Sequence, residues 1–184
     1  MTQTKSPKYE EVIRFWKEAG PSKWFAKDDT FDADFKSRFL EAHYAGARRE
    51  LDGWMDTAEG ALALIILLDQ LPRNSFRNTG HMFATDQLAL HFTREAVAKG
   101  YHLSVEPELR AFILMPLMHS ESLQDQEDLL GLLDPVTQEN TYKYAVIHRD
   151  VIADYGRFPH RNASLGRNTT PKEQSFLDSG GFSG

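Results

Sequence analysis

An uninterrupted apolar run of eight residues, Ala61 to Leu68, constrains the fold of this chain more than any other feature. Thr57 is a suitable N-cap before the run, which then lies in a helix that is apolar on every side. Such a helix leaves no face for water and has to be surrounded by other elements. The run is far too short to span a bilayer. We therefore predict a buried central helix that ends at Pro72, because proline disfavours helical geometry at the residue before it.

Helical spacing of apolar residues recurs along the whole chain, as in the stripe Phe31, Phe35 and Phe39. Eight helices are predicted: residues 8–19, a helix after 28–30, the helix from 57, about 84–99, a helix starting at 107, one starting at 122, about 138–155, and a short one from 170. No window alternates convincingly with period two, and no repeat of fixed length occurs. The predicted fold class is therefore all-α, with paired antiparallel helices and the third and seventh helices central.

Local signals refine the helix ends. Ser122 with Asp125 resembles a capping box, and Thr170-Pro171-Lys172-Glu173 combines a capping threonine, a proline at N1 and a glutamate at N3. Pro116 is expected to kink or break the helix that contains it. Trp24-Phe25 follows the first helix, and we expect these large aromatic side chains to fold back onto the core.

The chain has 184 residues, a formal net charge of −6 and no cysteine. This length suits one all-helical domain, predicted for residues 1–178, with a flexible tail at 179–184. General nucleic-acid binding is not expected, because that affinity comes mostly from Lys and Arg neutralising phosphates. The lack of cysteine excludes disulfides, thiolate catalysis and cysteine-ligated zinc. The amino terminus lacks the apolar segment of a secretory signal, so we predict a cytoplasmic protein without membrane contact or cofactor.

Four segments together resemble a known family. They are residues 62–77 (LALIILLDQLPRNSFR), 116–126 (PLMHSESLQDQ), 155–162 (YGRFPHRN) and 165–173 (LGRNTTPKE), and Trp24-Phe25 and Phe31-Asp32 fit the same pattern. In this order the motifs are similar to those of the DUF924 family, mostly bacterial proteins of unknown function. The resemblance implies an all-helical fold related to the tetratricopeptide superfamily, and it brings no reaction and no catalytic residue. The chain departs mildly from the family at Leu71, where members often have phenylalanine.

Two predicted helix ends share a plan, with a proline, an arginine and an asparagine at or just past the end. The candidate ligand-binding residues are Asp69, Gln70, Arg73, Asn74 and Arg77 in the first corner, and Arg157, His160, Arg161, Asn162 and Arg167 in the second. If the corners converge, their guanidinium forks and amides can grip a carboxylate or a phosphate. Alternatively, these side chains satisfy orphan carbonyls at helix ends, with Asp69 as an internal partner of Arg73 or Arg161.

A third polar segment is His119-Ser120-Glu121, with Gln124 nearby, just after a proline that frees helical backbone groups. His119 is a candidate general base with Glu121 as its partner, and His160 is a second candidate acid or base. Because His119 and Glu121 are two residues apart, they do not share a helix face, and no metal site is predicted. A Ser–His–Asp triad is not expected, since nothing resembling a nucleophile elbow precedes Ser120.

These observations favour a binding function. The predicted pocket is lined by the two corners and the segment 119–124, and it takes a small anionic molecule or an acidic peptide end. One alternative is a hydrolase-type enzyme in the same pocket, with His119 or His160 as acid or base and arginines holding the substrate's charge. Another is a scaffold, or a module of a homo-oligomer, whose arginines only tie helices together.

Overall fold

The computed structural model describes residues 8–182. Its α-helices are α1 Tyr9–Ala19, α2 Pro21–Trp24, α3 Asp29–Ala47, α4 Ala58–Ser75, α5 Asp86–Ala98, α6 Tyr101–Ser104, α7 Arg110–Met118, α8 Leu123–Leu132, α9 Glu139–Tyr155 and α10 Pro171–Asp178. Short 3-10 helices occur at Asp52–Asp56, Gly80–Phe83 and Pro159–Arg161. No strand occurs in the described range, so the all-α fold class is confirmed. Helices occur at all eight predicted places, and the four-residue helices α2 and α6 are additional.

The chain folds into two compact units. Unit 1 extends to Arg77 and includes His81–Pro116, and it therefore contains α1 to α6 and most of α7. Unit 2 includes Asn78–Gly80 and the chain from Leu117 onward, and it therefore contains α8, α9 and α10. The single domain predicted for residues 1–178 stays a prediction. Of the predicted flexible tail, the last two residues, 183–184, lie outside the described residues.

Helix α4 forms the core of unit 1. Every residue from Gly60 to Pro72 is buried, and α1, α3 and α5 pack around the helix. The Thr57 hydroxyl accepts a hydrogen bond from the N–H of Gly60 at 3.1 Å and caps the start of α4, as predicted. The buried central helix is therefore confirmed. Within residues 8–182, no helix combines the length and the apolar character that crossing a bilayer requires.

Aromatic rings fill the space between α1 and α3. Phe31, Phe35 and Phe39 form the predicted stripe on α3, and the centroid of the Phe15 ring lies 5.4, 5.3 and 5.3 Å from theirs. Asp28 caps this helix by accepting hydrogen bonds from two main-chain N–H groups of its first turn, both at 3.0 Å. The stripe thus fixes α1 against α3 by ring packing.

The two aromatic residues after the first helix behave differently. Trp24 folds back as expected, and its Nε1 donates a hydrogen bond to the main-chain oxygen of Trp16 at 2.7 Å. The same expectation is wrong for Phe25, whose side chain is 69% exposed. The Phe25 ring stacks on Phe112 at a centroid distance of 5.9 Å, and this leaves its other face to solvent.

Helix α4 continues through Pro72 to Ser75, so the prediction that Pro72 ends the helix is wrong. Proline has no N–H, and it leaves the main-chain oxygen of Leu68, one turn earlier, without its helical donor. The hydroxyl of Thr85 donates a hydrogen bond to that oxygen at 2.5 Å. This side-chain donor satisfies a buried carbonyl, and the helix can therefore tolerate the proline.

Helix α7 also continues past its proline, Pro116, to Met118, so Pro116 does not break it. The oxygens at its carboxyl end are satisfied by Gln126, a side chain with no solvent exposure. Nε2 of Gln126 donates to the main-chain oxygens of Leu117, Met118 and Ser120 at 3.3, 2.8 and 2.7 Å. One buried amide therefore caps the end of α7.

Helix α8 begins after Ser122, but without the capping box predicted for Ser122 and Asp125. Instead, the Ser120 hydroxyl accepts a hydrogen bond from the N–H of Ser122 at 3.2 Å and donates one to Asp125 at 2.6 Å. The prediction failed because a buried hydroxyl upstream competes for Asp125. The capping box of α10, formed by Thr170 and Glu173, is confirmed with both of its hydrogen bonds.

Helix α9 packs along α8 in unit 2 and buries only one stripe of side chains. The seventh predicted helix is therefore half-buried, in contrast to α4. The helix ends at Tyr155, as predicted, and Gly156 follows in the left-handed conformation with φ of 68°. The chain then turns into a loop, where Phe158 is fully buried against Val151 and Ile152.

We expect Thr85→Val to lower the free energy of unfolding by about 1–3 kcal/mol, because the Leu68 oxygen then stays buried without a donor. Urea unfolding followed by circular dichroism measures this change. The control is Thr85→Ser, which keeps the hydroxyl and should cost no more than about 1 kcal/mol for the lost methyl group. Equal losses in the two variants would contradict the role given to the hydroxyl.

Candidate functional site

Glu121 joins two of the three predicted site segments within unit 2. Its Oε2 accepts a hydrogen bond from Arg167 at 2.7 Å, while Oε1 accepts one from Arg167 at 3.0 Å and one from the N–H of Phe158 at 2.9 Å. Burial raises the pKa of Glu121, but the hydrogen bonds from Arg167 and Phe158 outweigh this effect and lower it overall. Glu121 is therefore an anionic anchor for the loop of the second corner.

A second ion pair holds the same loop to the start of α10. Arg157 donates to both carboxylate oxygens of Glu173 at 2.6 and 2.9 Å, and to the main-chain oxygen of Asn168 at 2.7 Å. The hydrogen bonds from Arg157 and from the N–H of Thr170 lower the pKa of Glu173 well below its usual value. Arg157, a predicted ligand-binding residue, is thus engaged by an internal acid.

Imidazole and guanidinium groups gather around the ring of Phe158. The rings of His148 and His160 both lie with their centroids 5.6 Å from that of Phe158. The guanidinium carbon of Arg161 lies 4.4 Å from the same centroid, and only 7% of Arg161 is exposed. Together with their electrostatic neighbours, these side chains form what we call the histidine–arginine cluster: His119, His148, His160, Arg161 and Arg167.

The members of the cluster perturb one another's protonation. Burial is the main reason why the pKa of His148 falls to about 4, and repulsion by His119, Arg161 and His160 lowers it further. Burial and then Arg161 likewise lower the pKa of His160 to about 4, while Glu121 acts in the opposite direction. Both imidazoles are therefore neutral at pH 7, because charging either one means adding a cation to a partly buried cationic cluster.

Two other residues of the 119–124 segment, Ser120 and Gln124, do not belong to the cluster. Gln124 is exposed and donates a hydrogen bond to Asp128 at 2.8 Å. Ser120 donates its hydroxyl proton directly to the carboxylate of Asp125, whereas a serine nucleophile needs a base such as an imidazole at that position. Among residues 8–182, no group of three or more His, Asp or Glu side chains is arranged to hold a metal ion.

Asn162 lies next to the cluster and is 1% exposed. Its Nδ2 donates a hydrogen bond to the Thr169 hydroxyl at 3.3 Å. Its Oδ1 is buried and has no hydrogen-bond partner within the described range. Asn162 therefore links two parts of the loop through Thr169, and it places a hydrogen-bond acceptor in the interior of unit 2.

The first predicted corner lies in unit 1 and closes on its own acids. Arg73 donates to both carboxylate oxygens of Asp86 at 2.8 and 2.9 Å, and its Nη1 lies 3.0 Å from the carboxylate of Asp69. Burial lowers the pKa of Arg73, but attraction to Asp69 and Asp86 outweighs it and raises the pKa overall. Of the partners considered for Asp69, the structure supports Arg73.

The remaining side chains of this corner also donate hydrogen bonds to carboxylates of unit 1. Asp32 accepts hydrogen bonds from Asn74 at 2.6 Å and from Arg77 at 2.9 Å. Gln70 donates to the carboxylate of Asp69 at 2.6 Å. All five predicted residues of the corner thus have internal partners, which agrees with the structural alternative for this part of the site.

The structure therefore brings together the segment 119–121 and the loop 157–167 within unit 2. The corner 69–77 belongs to unit 1, and a pocket shared by all three segments stays a prediction. Sequence reasoning missed the carboxylate partners Asp32 and Asp86, because nothing local connects them to the arginines. It also missed Glu173 as a partner of the second corner, although Glu173 was predicted at N3 of α10.

Lowered histidine pKa values predict an acid-sensitive unit 2. Between about pH 6.5 and pH 4, the unfolded chain binds a proton at each of His148 and His160, and the folded chain does not. The free energy of unfolding should therefore be highest above pH 6.5 and should fall by about 1.4 kcal/mol per pH unit for each histidine. Urea unfolding at a series of pH values measures this slope.

The matched variants for this test are His148→Gln, which removes one buried imidazole, and His91→Gln, which removes an exposed imidazole of α5. The first should reduce the slope by about 1.4 kcal/mol per pH unit between pH 6.5 and 5, because His160 keeps its own contribution, and the second should leave the slope at the wild-type value. A His148→Gln protein with the wild-type slope would contradict the assignment of acid sensitivity to the cluster.

Comparisons with family models and with solved structures show which proteins this chain resembles. A family model described as a bacterial protein of unknown function, DUF924, matches residues 12–181 of the chain. A solved structure of a protein of unknown function from Agrobacterium tumefaciens is similar, with 47% sequence identity and a TM-score of 0.90, and the match covers 93% of this chain and 97% of that one. No curated protein matches the chain. The resemblance predicted from the four motifs is confirmed, and the chain belongs to the DUF924 family.

Proposed function

We propose that the histidine–arginine cluster of unit 2 binds a small anion that carries a carboxylate or a phosphate group. The observation that carries this proposal is the cationic environment of two imidazoles, those of the buried His148 and the half-buried His160. Arg161 lowers the pKa of both His148 and His160, and Arg167 lowers that of His160 as well. Glu121 acts in the opposite direction on His160, but both of its oxygens already accept hydrogen bonds from Arg167 or the N–H of Phe158. An added anion would supply negative charge where these cations repel a further proton.

Buried polar atoms of the cluster support the same proposal. Nδ1 of His160 and Nε of Arg167 are buried, and they have no hydrogen-bond partner among residues 8–182. Buried polar atoms in native proteins are nearly always hydrogen-bonded, so each atom marks a position where a ligand oxygen or a water would gain a bond. The orientation of Arg167 is already fixed by Glu121, which keeps this position pre-organised.

Anion binding at this cluster would be coupled to protonation. A negative charge beside His148 and His160 offsets the repulsion that lowers their pKa values, and it therefore favours the imidazolium form of each. The protonated imidazole in turn becomes a charge-assisted donor to the ligand oxygen. Affinity for the anion should consequently increase as the pH is lowered from 7 toward 5. An acidic peptide end presents the same carboxylate and fits the same chemistry.

We expect inorganic phosphate and acetate to raise the pKa values of His148 and His160, measured by pH titration of the imidazole NMR signals. Both anions should also raise the melting temperature at pH 6. Ligand linkage provides about 2.7 kcal/mol of stabilisation at a hundredfold excess over Kd. Arg161→Gln should abolish both responses, because the guanidinium group is lost from the cluster. The control is Lys143→Gln, which removes the same charge from an exposed ion pair of α9 and should keep both responses.

The ion pairs themselves favour a second candidate function, that of a scaffold. Arg73, Arg77, Arg157 and Arg167 each donate to a carboxylate of their own unit. In that case Arg161→Gln would lower the free energy of unfolding, and neither phosphate nor acetate would change the imidazole signals of the wild type. That result would overturn the proposal of an anion site and leave the architectural role of the arginines.

A further inference from the structure

We propose that the anion site takes an aromatic carboxylate, and that Phe182 occupies the place of such a ligand in the unliganded protein. This inference rests on the function proposed above and assigns it a substrate class. Phe182 lies at the end of the described chain, just past α10, and belongs to the same unit as the cluster. It was predicted only as part of a tail, and nothing in its local sequence indicates a position in the site.

The side chain of Phe182 lies against both imidazoles of the cluster, those of His148 and His160. Its ring centroid is 4.4 Å from that of His148, with the planes inclined at 58°, and 5.6 Å from that of His160, in an edge-to-face arrangement at 82°. Aromatic pairs favour tilted and edge-to-face geometries at these separations. The two imidazoles therefore form a site for one further aromatic ring, and the ring of Phe182 occupies it.

The main chain of Phe182 supplies the polar half of the same interaction. The main-chain oxygen of Phe182 faces the His160 imidazole closely enough to raise the pKa of His160, because it favours the imidazolium form. One residue thus presents a ring to His148 and an oxygen to His160. A small molecule with a ring and a carboxylate on a short linker offers the same two groups, and its full negative charge suits the cationic cluster better than a neutral carbonyl does.

A short turn places Phe182 over the cluster. Gly180 has φ of 75°, in the left-handed region, and the N–H of Gly181 donates to the main-chain oxygen of Phe176 at 2.9 Å. A Cβ atom at Gly181 would overlap the Phe176 ring, so the chain passes this ring at a distance that only glycine permits. The turn caps the carboxyl end of α10, whereas the Arg157–Glu173 ion pair and the capping box hold its amino end, so an opening of the turn would leave the amino-terminal contacts intact.

The experiment compares the full-length wild type with Phe182→Ala, using phenylacetate, acetate and inorganic phosphate as probes. Binding is measured at pH 6 from the NMR signals of the His148 and His160 imidazoles, which also report the ring current of a bound aromatic group. We expect phenylacetate to bind Phe182→Ala at least about fivefold more tightly than the wild type, because the internal competitor is gone. In the variant, phenylacetate should also bind more tightly than acetate.

Two further variants keep the test decisive. Gly181→Val moves the turn away from Phe176 without changing Phe182, and it should increase phenylacetate affinity as Phe182→Ala does. Phe25→Ala removes an exposed ring of unit 1 and should leave the affinity at the wild-type value. Urea unfolding of each variant tests whether the protein remains folded. If Phe182→Ala does not fold, the comparison is made with Gly181→Val instead.

The outcomes separate this inference from the proposed function. If acetate and phosphate bind equally well to the wild type and to Phe182→Ala, and phenylacetate shows no preference for the variant, the anion site stands and the aromatic ligand class is overturned. If none of the three probes changes the imidazole signals of any variant, the anion site itself is overturned. A preference for phenylacetate in Phe182→Ala and Gly181→Val, with Phe25→Ala unchanged, supports both.

Discussion

A guanidinium group that leaves bulk water needs an acid or several carbonyl oxygens as its partner, and this constraint orders both units. In unit 2, Glu121 closes on Arg167 and Glu173 closes on Arg157, each through two parallel hydrogen bonds. Glu121 and Arg167 are 46 residues apart in sequence, so their pairing fixes a long loop against the start of α8. Because bidentate pairs set orientation as well as distance, they hold the loop that carries His160.

The boundary between what the sequence predicted and what it did not follows the range of the interactions. The burial of α4, the helix end at Gly156 and the capping box at Thr170 all depend on residues within one or two turns, and all three are confirmed. The effect of Pro72 depends on Thr85, 17 residues from the oxygen that it satisfies, and no local pattern contains that information. The arginines of the site were predictable as a cationic loop, whereas their acidic partners lie on other elements.

The histidine–arginine cluster differs from the ion pairs because its two imidazoles, that of the buried His148 and that of the half-buried His160, lie among rings and cations. Arg157 has a carboxylate of its own, while His148 and His160 stay neutral at the cost of a much lower pKa. A protein that needed only stability would gain by replacing such imidazoles with apolar side chains, because a neutral buried imidazole still has polar atoms to satisfy. The proposed anion site rests on these two imidazoles and on the guanidinium groups of Arg161 and Arg167 beside them.

Phe182 changes how binding to this cluster has to be interpreted. A side chain of the same molecule is present at a high effective concentration, so it competes with any external ligand even when its own contacts are weak. The apparent affinity of the intact protein then equals the intrinsic affinity of the open site multiplied by the fraction of molecules in which the turn at Gly180 is open. If Phe182 covers the site as proposed, a simple anion binds the intact protein more weakly than it binds the open site, but it still binds. A ligand that brings its own ring replaces the contacts of Phe182 with His148 and His160, whereas acetate or phosphate displaces the ring without replacing them.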